Sequence, residues 1–196
     1  MKFVSFVSVV LVTLGFSVSA FSQTNIDYSA YSCAMAHTQT DGEDSTASAC
    51  STAGLDGVEI RYDSAKFALF ANPAAAGGEI GASFRILPKV DVGILVGNES
   101  SSIDYEDSAD VSSNSDHYAA FGLLRCDHGE LTAGAFMSQG DAEVNTQGLA
   151  ANLKVFLPVG GLQPFVNVSG SYTDIDDKND TSILSGEVAV GIRSTL

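Results

Sequence analysis

Period-two alternation is the feature that most narrows the folds open to this chain. In the stretch GEIGASFRILPKVDVGILVG, residues 78–97, Ile80, Ala82, Phe84 and Ile86 alternate with Gly81, Ser83, Arg85 and Leu87. After Pro88-Lys89, the residues Val90, Val92, Ile94 and Val96 alternate with Asp91, Gly93, Leu95 and Gly97. Successive side chains of a strand point to opposite faces, so these are two strands, each apolar on one face. The short turn between them makes an antiparallel hairpin. The apolar face must meet either a protein core or lipid.

The same unit recurs to the end of the chain. Residues 57–71 carry Val58, Ile60 and Tyr62 on one parity and Phe67 and Leu69 on the other. They read as one strand bent by a bulge near Asp63-Ser64. Residues 118–126 are apolar on both parities, and only Arg125 marks an inward face. Residues 130–139, 147–157, 163–172 and 182–196 alternate more clearly, which brings the total to eight strands. Links at 72–77, 98–117, 140–146 and 173–181 are long and polar, those at 88–89, 127–129 and 158–162 are short, and the two kinds alternate. Membrane barrels sort their loops in this way, with short turns on the periplasmic side. The expectation is an all-β fold over residues 57–196, an eight-stranded antiparallel up-and-down transmembrane β-barrel.

Export is predicted by residues 1–20, MKFVSFVSVVLVTLGFSVSA, with Lys2, an apolar run and the small-residue site Val18-Ser19-Ala20. That is the pattern of a secretory signal peptide. Residues 21–56 are small and polar and read as a periplasmic tail. Cys33 and Cys50 lie within it, and in an exported protein they are expected to form a disulfide, worth about 3 kcal/mol by loop entropy. A zinc site adding His37, Cys126 and His128 has non-standard spacing and is disfavoured. Cys126 is then the odd thiol, and the sequence leaves open its pairing with either of the others. The formal net charge of −15 would repel phosphates and argues against nucleic acid as a partner.

Arg85, Asp91, Asn152, Lys154, Asn167 and Glu187 lie on the face opposite the apolar stripe. An eight-stranded barrel is just wide enough for its side chains to fill. Arg85 and Lys154 are therefore expected to pair with Asp91 and Glu187 as a lumen charge network.

By signal peptide, strand alternation, loop sorting and the terminal strand GEVAVGIRSTL, residues 57–196 resemble the small eight-stranded outer-membrane barrels of Gram-negative bacteria, of the OmpA and OmpX kind. The resemblance implies outer-membrane lipid as surroundings and the barrel assembly machinery as a partner in biogenesis. Such proteins commonly end in an aromatic residue, where this chain has Leu196. With no Trp, the aromatic girdles would rest on Tyr118 and Tyr172 at the loop end and on Phe156 and Phe165 at the turn end.

No catalytic or cofactor motif is present. His117 with Ser115 and His128 with Glu130 are the candidates for a lipid-modifying enzyme; His128 and Glu130 fall on the periplasmic side of the expected topology, away from outer-leaflet lipid, and His117 reads better as a solvated rim histidine. The acidic loops 98–117 and 173–181, including DIDDKND, depart from calcium-loop spacing and read as solvated. The sequence therefore points to a non-enzymatic outer-membrane barrel, without cofactor, that carries acidic surface loops and acts in surface interaction or envelope integrity. The alternatives are a soluble periplasmic ligand-binding barrel and a lipid-modifying barrel enzyme. No residue pattern identifies an extracellular partner.

Overall fold

The computed structural model describes residues 22–52, 57–74, 77–103, 111–140, 145–157, 162–176 and 181–196. The leader at 1–20 lies outside these residues. So do the loop positions Asp104, Glu106, Asp107, Asp110, Asp177, Lys178 and Asp180.

Eleven strand segments form one antiparallel sheet: β1 Gln23–Thr40, β2 Glu43–Thr52, β3 Val58–Asp63, β4 Phe67–Ala74, β5 Gly77–Leu87, β6 Val90–Ile103, β7 Val111–Cys126, β8 Gly129–Gly140, β9 Asn145–Phe156, β10 Gln163–Asp176 and β11 Thr181–Thr195. Neighbours in sequence pair from β3 round to β11, and β11 pairs with β1 to close a barrel. β1 also pairs with β3 through Gln23–Tyr28 and with β2 through Tyr31–Thr40. β2 and β3 thus lie end to end along one side of β1, and the wall has ten strands rather than eight.

Two features account for the difference. Residues 57–71 are not one bent strand. The Ser64 hydroxyl donates to Phe67 O at 3.0 Å, and the Ser64 N–H donates to the same oxygen at 2.8 Å, closing a tight turn between β3 and β4. The parity change at that point is the chain reversing. Residues 23–52, expected as a tail, are a wall hairpin. Asp41 and Gly42 both have positive φ, 50° and 81°, the two-residue turn geometry that matches strand twist. Cys33 and Cys50 are direct cross-strand partners on that hairpin and form a disulfide. Cys126 is a free, exposed thiol.

The strands are strongly staggered. Stepping through paired residues from Ile26 to Ile60, Ala71, Ile80, Val96, Tyr118, Met137, Gln147, Asp174 and Ser182 returns to β1 at Gln39, thirteen residues further along. A bulge between Ser29 and Tyr31 accounts for one of those positions. Closure with such stagger goes with strands tilted by about 35–45°.

The apolar faces point out. Phe84 is 64% exposed, Ile94 63% and Val190 44%, whereas Ser83, Asp91 and Ala68 inside are 0%. β7, ambiguous by sequence, turns Leu123 inward at 3% and Tyr118 and Leu124 outward. Tyr118 and Tyr172 stand on the outer face as expected. Phe156 and Phe165 do not: their rings meet edge to face at 6.2 Å, and Phe165 is 2% exposed. Below them the C-terminal residue is held to the start of β1, with Leu196 N–H donating to Thr24 O at 2.9 Å.

β2 pairs with β1 alone, and all its residues are exposed. The Cys33–Cys50 disulfide therefore pins an edge hairpin rather than the barrel. In Cys33→Ser/Cys50→Ser, amides of residues 43–52 should lose protection in hydrogen exchange, reflecting about 3 kcal/mol of local closure. Protection of β5–β11 should be unchanged.

A charged layer across the lumen

Near the short-turn end, most wall strands turn a charged side chain inward. β1 supplies Asp27 and β3 supplies Glu59, Arg61 and Asp63. Arg85, Asp91, Arg125, Glu130, Lys154 and Arg193 come from β5, β6, β7, β8, β9 and β11. Several are direct cross-strand neighbours: Arg85 with Asp91, Arg125 with Glu130, Glu130 with Lys154, and Asp27 with both Arg193 and Glu59. Alternation forces these polar residues to the lumen because their sequence neighbours are the apolar residues of the outer face.

The five cations and five carboxylates of the layer pair with one another. Arg61 holds Glu130 in a two-pronged contact, Nη2 to Oε1 at 2.6 Å and Nη1 to Oε2 at 2.8 Å, and its Nε donates to Asp63 at 2.7 Å. Arg193 holds Asp27 the same way, at 2.6 and 2.7 Å, and lies 3.3 Å from Glu130. Lys154 reaches Asp27 at 2.6 Å and Glu59 at 3.1 Å. Asp91 accepts from Arg85 at 3.1 Å and from Arg125 at 2.6 Å, and Arg125 also donates to Asp63 at 2.8 Å. Two rings lie against the cations. The Arg193 guanidinium sits 4.0 Å from the Phe156 centroid, and Lys154 Nζ sits 5.0 Å from that of Phe165. Such contacts add to cation stabilisation when desolvated.

Of the expected network, Arg85 and Asp91 form an ion pair. Lys154 is in the layer, but its partners are Asp27 and Glu59, not Glu187. Glu187 instead lines a cavity of about 1080 Å³ on the long-loop side, together with Asn72, Glu79, Asn98 and Glu99. On the short-turn side lies a smaller vestibule of about 440 Å³. Asp27, Glu59, Arg61, Asp63, Arg125, Glu130 and Arg193 join the network although sequence reading did not pair them. Their signal was each one's lumen parity, not its partner.

The other candidates are dispersed. Cys33 and His37 lie on β1, while Cys126 and His128 lie at the β7–β8 turn, so the would-be zinc ligands do not converge. His117 Nε2 is 3.2 Å from Ser115 Oγ and 3.6 Å from Glu99 Oε2. Both partners meet the same ring nitrogen, so the carboxylate does not orient the imidazole through Nδ1 as a nucleophile–base relay requires. Glu130, set beside His128 in the sequence, points into the layer. Outside the wall, Lys89 Nζ bridges two turns to Asp127 at 2.8 Å. That hydrogen bond raises the Lys89 pKa and lowers that of Asp127.

Removing a carboxylate from the layer leaves buried cations uncompensated. Glu130→Gln should lower the unfolding free energy by about 3–5 kcal/mol in urea titrations of detergent-folded protein. Glu187→Gln should change it by less than about 1 kcal/mol, because Glu187 lines the cavity outside the ion pairs.

No protein-family model matches this chain, and no curated protein matches it. Among solved structures it is similar to Ail, the attachment invasion locus protein of Yersinia pestis, at 10% identity and a TM-score of 0.41, covering 88% of this chain and 99% of that one. It is similar to the NanC porin at 9% identity and a TM-score of 0.45, covering 86% and 98%. It is also similar to Neisserial surface protein A at 12% identity and a TM-score of 0.37, covering 88% and 96%. At these values the fold rests on this chain's own strand pairing: a closed, all-β antiparallel barrel of ten wall strands.

Proposed function

We propose that the chain is a non-enzymatic outer-membrane β-barrel protein that carries acidic loops at the cell surface and acts in surface interaction or envelope integrity. The observation that carries this reading is the inversion of polarity between the two faces of the wall. Phe84, Ile94, Met137, Leu149 and Leu184 are each about 60% exposed, while Asp27, Arg61, Asp91, Lys154 and Arg193 are buried. A water-soluble barrel, including one that binds ligands in an apolar cavity, arranges these the other way round. A closed barrel in lipid leaves no unpaired edge in hydrocarbon and hides its polar groups in the lumen.

The acidic loops belong to the long-loop end, which in barrels of this kind faces the medium. Glu79, Glu99 and Glu187 extend the same negative character into the cavity beneath them. The charged layer closes the lumen below, which favours a scaffold over an open pore.

Three measurements test the reading. The protein should stay in the membrane fraction through carbonate washing and require detergent for release; recovery in the wash would count against it. Ile94→Arg should cost about 2–4 kcal/mol and lower the yield of folded barrel. Gly93→Ala should also destabilise, but by clash, since a Cβ there would lie 2.6 Å from Ala82 O and 2.6 Å from the Phe121 ring. Purified wild-type protein should show no large, steady single-channel current in planar bilayers.

A further inference from the structure

The charged layer is neutral as a whole but is not symmetric across its thickness. The long-loop cavity is lined by Asp27, Glu59, Glu79, Glu99, Glu130 and Glu187 against only Arg61 and Lys154 as cations. The short-turn vestibule is lined by Arg61, Arg85, Arg125 and Arg193 against Asp63 alone. All four arginines of an otherwise acidic chain border this one space. Asp91, which neutralises two of them, is 0% exposed and is not among the residues that line the vestibule. An approaching solute therefore meets four guanidinium groups and the single carboxylate of Asp63.

Arg85 is the least committed of the four. Its side chain is 24% exposed, against 4% for Arg61 and 7% for Arg193. Nε donates to Asp91 at 3.1 Å, and Nη1 makes only a 3.5 Å contact with Ala65 O. Nη2 takes part in none of the hydrogen bonds found among the described residues. A guanidinium edge of this kind fits a planar or tetrahedral oxyanion through two parallel N–H donors. Arg125, 18% exposed and also anchored on Asp91, supplies a second positive charge in the same space.

We propose that the short-turn vestibule is a binding site for a small oxyanion, a carboxylate or phosphate group arriving from the aqueous phase, with Arg85 as its chief ligand-facing residue. The proposal concerns the lumen and stands apart from the membrane reading, whose extraction test can succeed or fail independently.

With only four arginines, full-length protein folded in detergent should give four resolvable Nε–Hε signals in a two-dimensional NMR spectrum. Titration with inorganic phosphate, and separately with malonate, should shift the Arg85 and Arg125 signals to saturation. Chloride at matched ionic strength should not. Comparing the two midpoints tells whether the site prefers phosphate or carboxylate. Arg85→Gln should abolish saturation at Arg125, and Arg85→Lys should weaken binding by about tenfold, because it keeps the charge on Asp91 but loses the fork. Glu187→Gln should leave the midpoint unchanged. Unaltered Arg61 and Arg193 signals show that a variant has kept the layer; if Arg85→Gln does not fold, Arg85→Lys carries the test. Overturning results would be a wild-type response that never saturates, one matched by chloride, or full affinity in Arg85→Lys.

Discussion

Mutual neutralisation of the charges in the lumen is the condition on which this fold depends. An isolated ion out of water costs several kcal/mol even after relaxation, and the cost is met only when partners and hydrogen bonds are well placed. Here Glu130 touches two guanidinium groups and has Arg125 4.0 Å away, while Asp27 takes Arg193 on both oxygens and Lys154 on one. Many of these contacts join strands that are not neighbours in the wall. Arg61 on β3 and Glu130 on β8 lie on different parts of the circumference, and Arg125 on β7 returns to Asp63 on β3. The contacts are struts across the lumen, so the same ions that would be a liability singly hold distant parts of the wall at a fixed separation.

The wall around those struts is uneven in height. β4 and β5 end at Ala74 and Gly77, whereas β1 continues to Thr40 and β6 to Ile103. The continuation of β1 is matched on one side by β11 along most of its length and on the other by β2. The outward residues of β2 are Asp44, Thr46, Ser48, Cys50 and Thr52, and β2 has only β1 as a hydrogen-bonded neighbour among the described residues. The Cys33–Cys50 disulfide supplies the restraint that a second neighbouring strand would otherwise give.

What the sequence discloses follows from which interactions are local. Alternation along β5, β6, β8, β9, β10 and β11 depends only on residues within each strand, and it predicts both their existence and the direction their side chains point. The missed strands were hidden for definable reasons. The β3–β4 turn, Ser64-Ala65-Lys66, contains no Gly, Pro or Asn and is closed by a serine hydroxyl, so its only trace is a change of parity. β2 is small and polar on both faces, and in β1 the bulge between Ser29 and Tyr31 moves the outward apolar residues from the parity of Ile26 and Tyr28 to that of Tyr31 and Met35, so no alternation flags Asp41-Gly42, a dipeptide that marks a hairpin turn. Partner choice was the least legible part. Arg85 with Asp91 is a cross-strand pair next to a two-residue turn, whereas Lys154 with Asp27 joins residues 127 positions apart. Nothing local favours Asp27 over Glu187 until the strand count is ten and β1 closes the barrel.

The strand count also explains why the lumen is closed in one layer and open above it. Eight strands give an interior that side chains just fill, and diameter grows with strand number. Two more strands widen the lumen, so a layer that still spans it must use long side chains: Arg61, Arg85, Arg125, Lys154 and Arg193 do so, with Phe156 and Phe165 filling the space beside them. Towards the long loops, short residues such as Ala34, Ala150, Ser169, Ser171 and Ser185 line part of the wall, Phe70, Leu95, Phe121 and Phe136 line the rest, and between them lies the cavity of about 1080 Å³. The charged layer is the level at which long charged side chains reach strands that are not their neighbours. The acidic character of the open part follows from the same division, since nearly all the long cations of the described wall are spent on the layer that closes it.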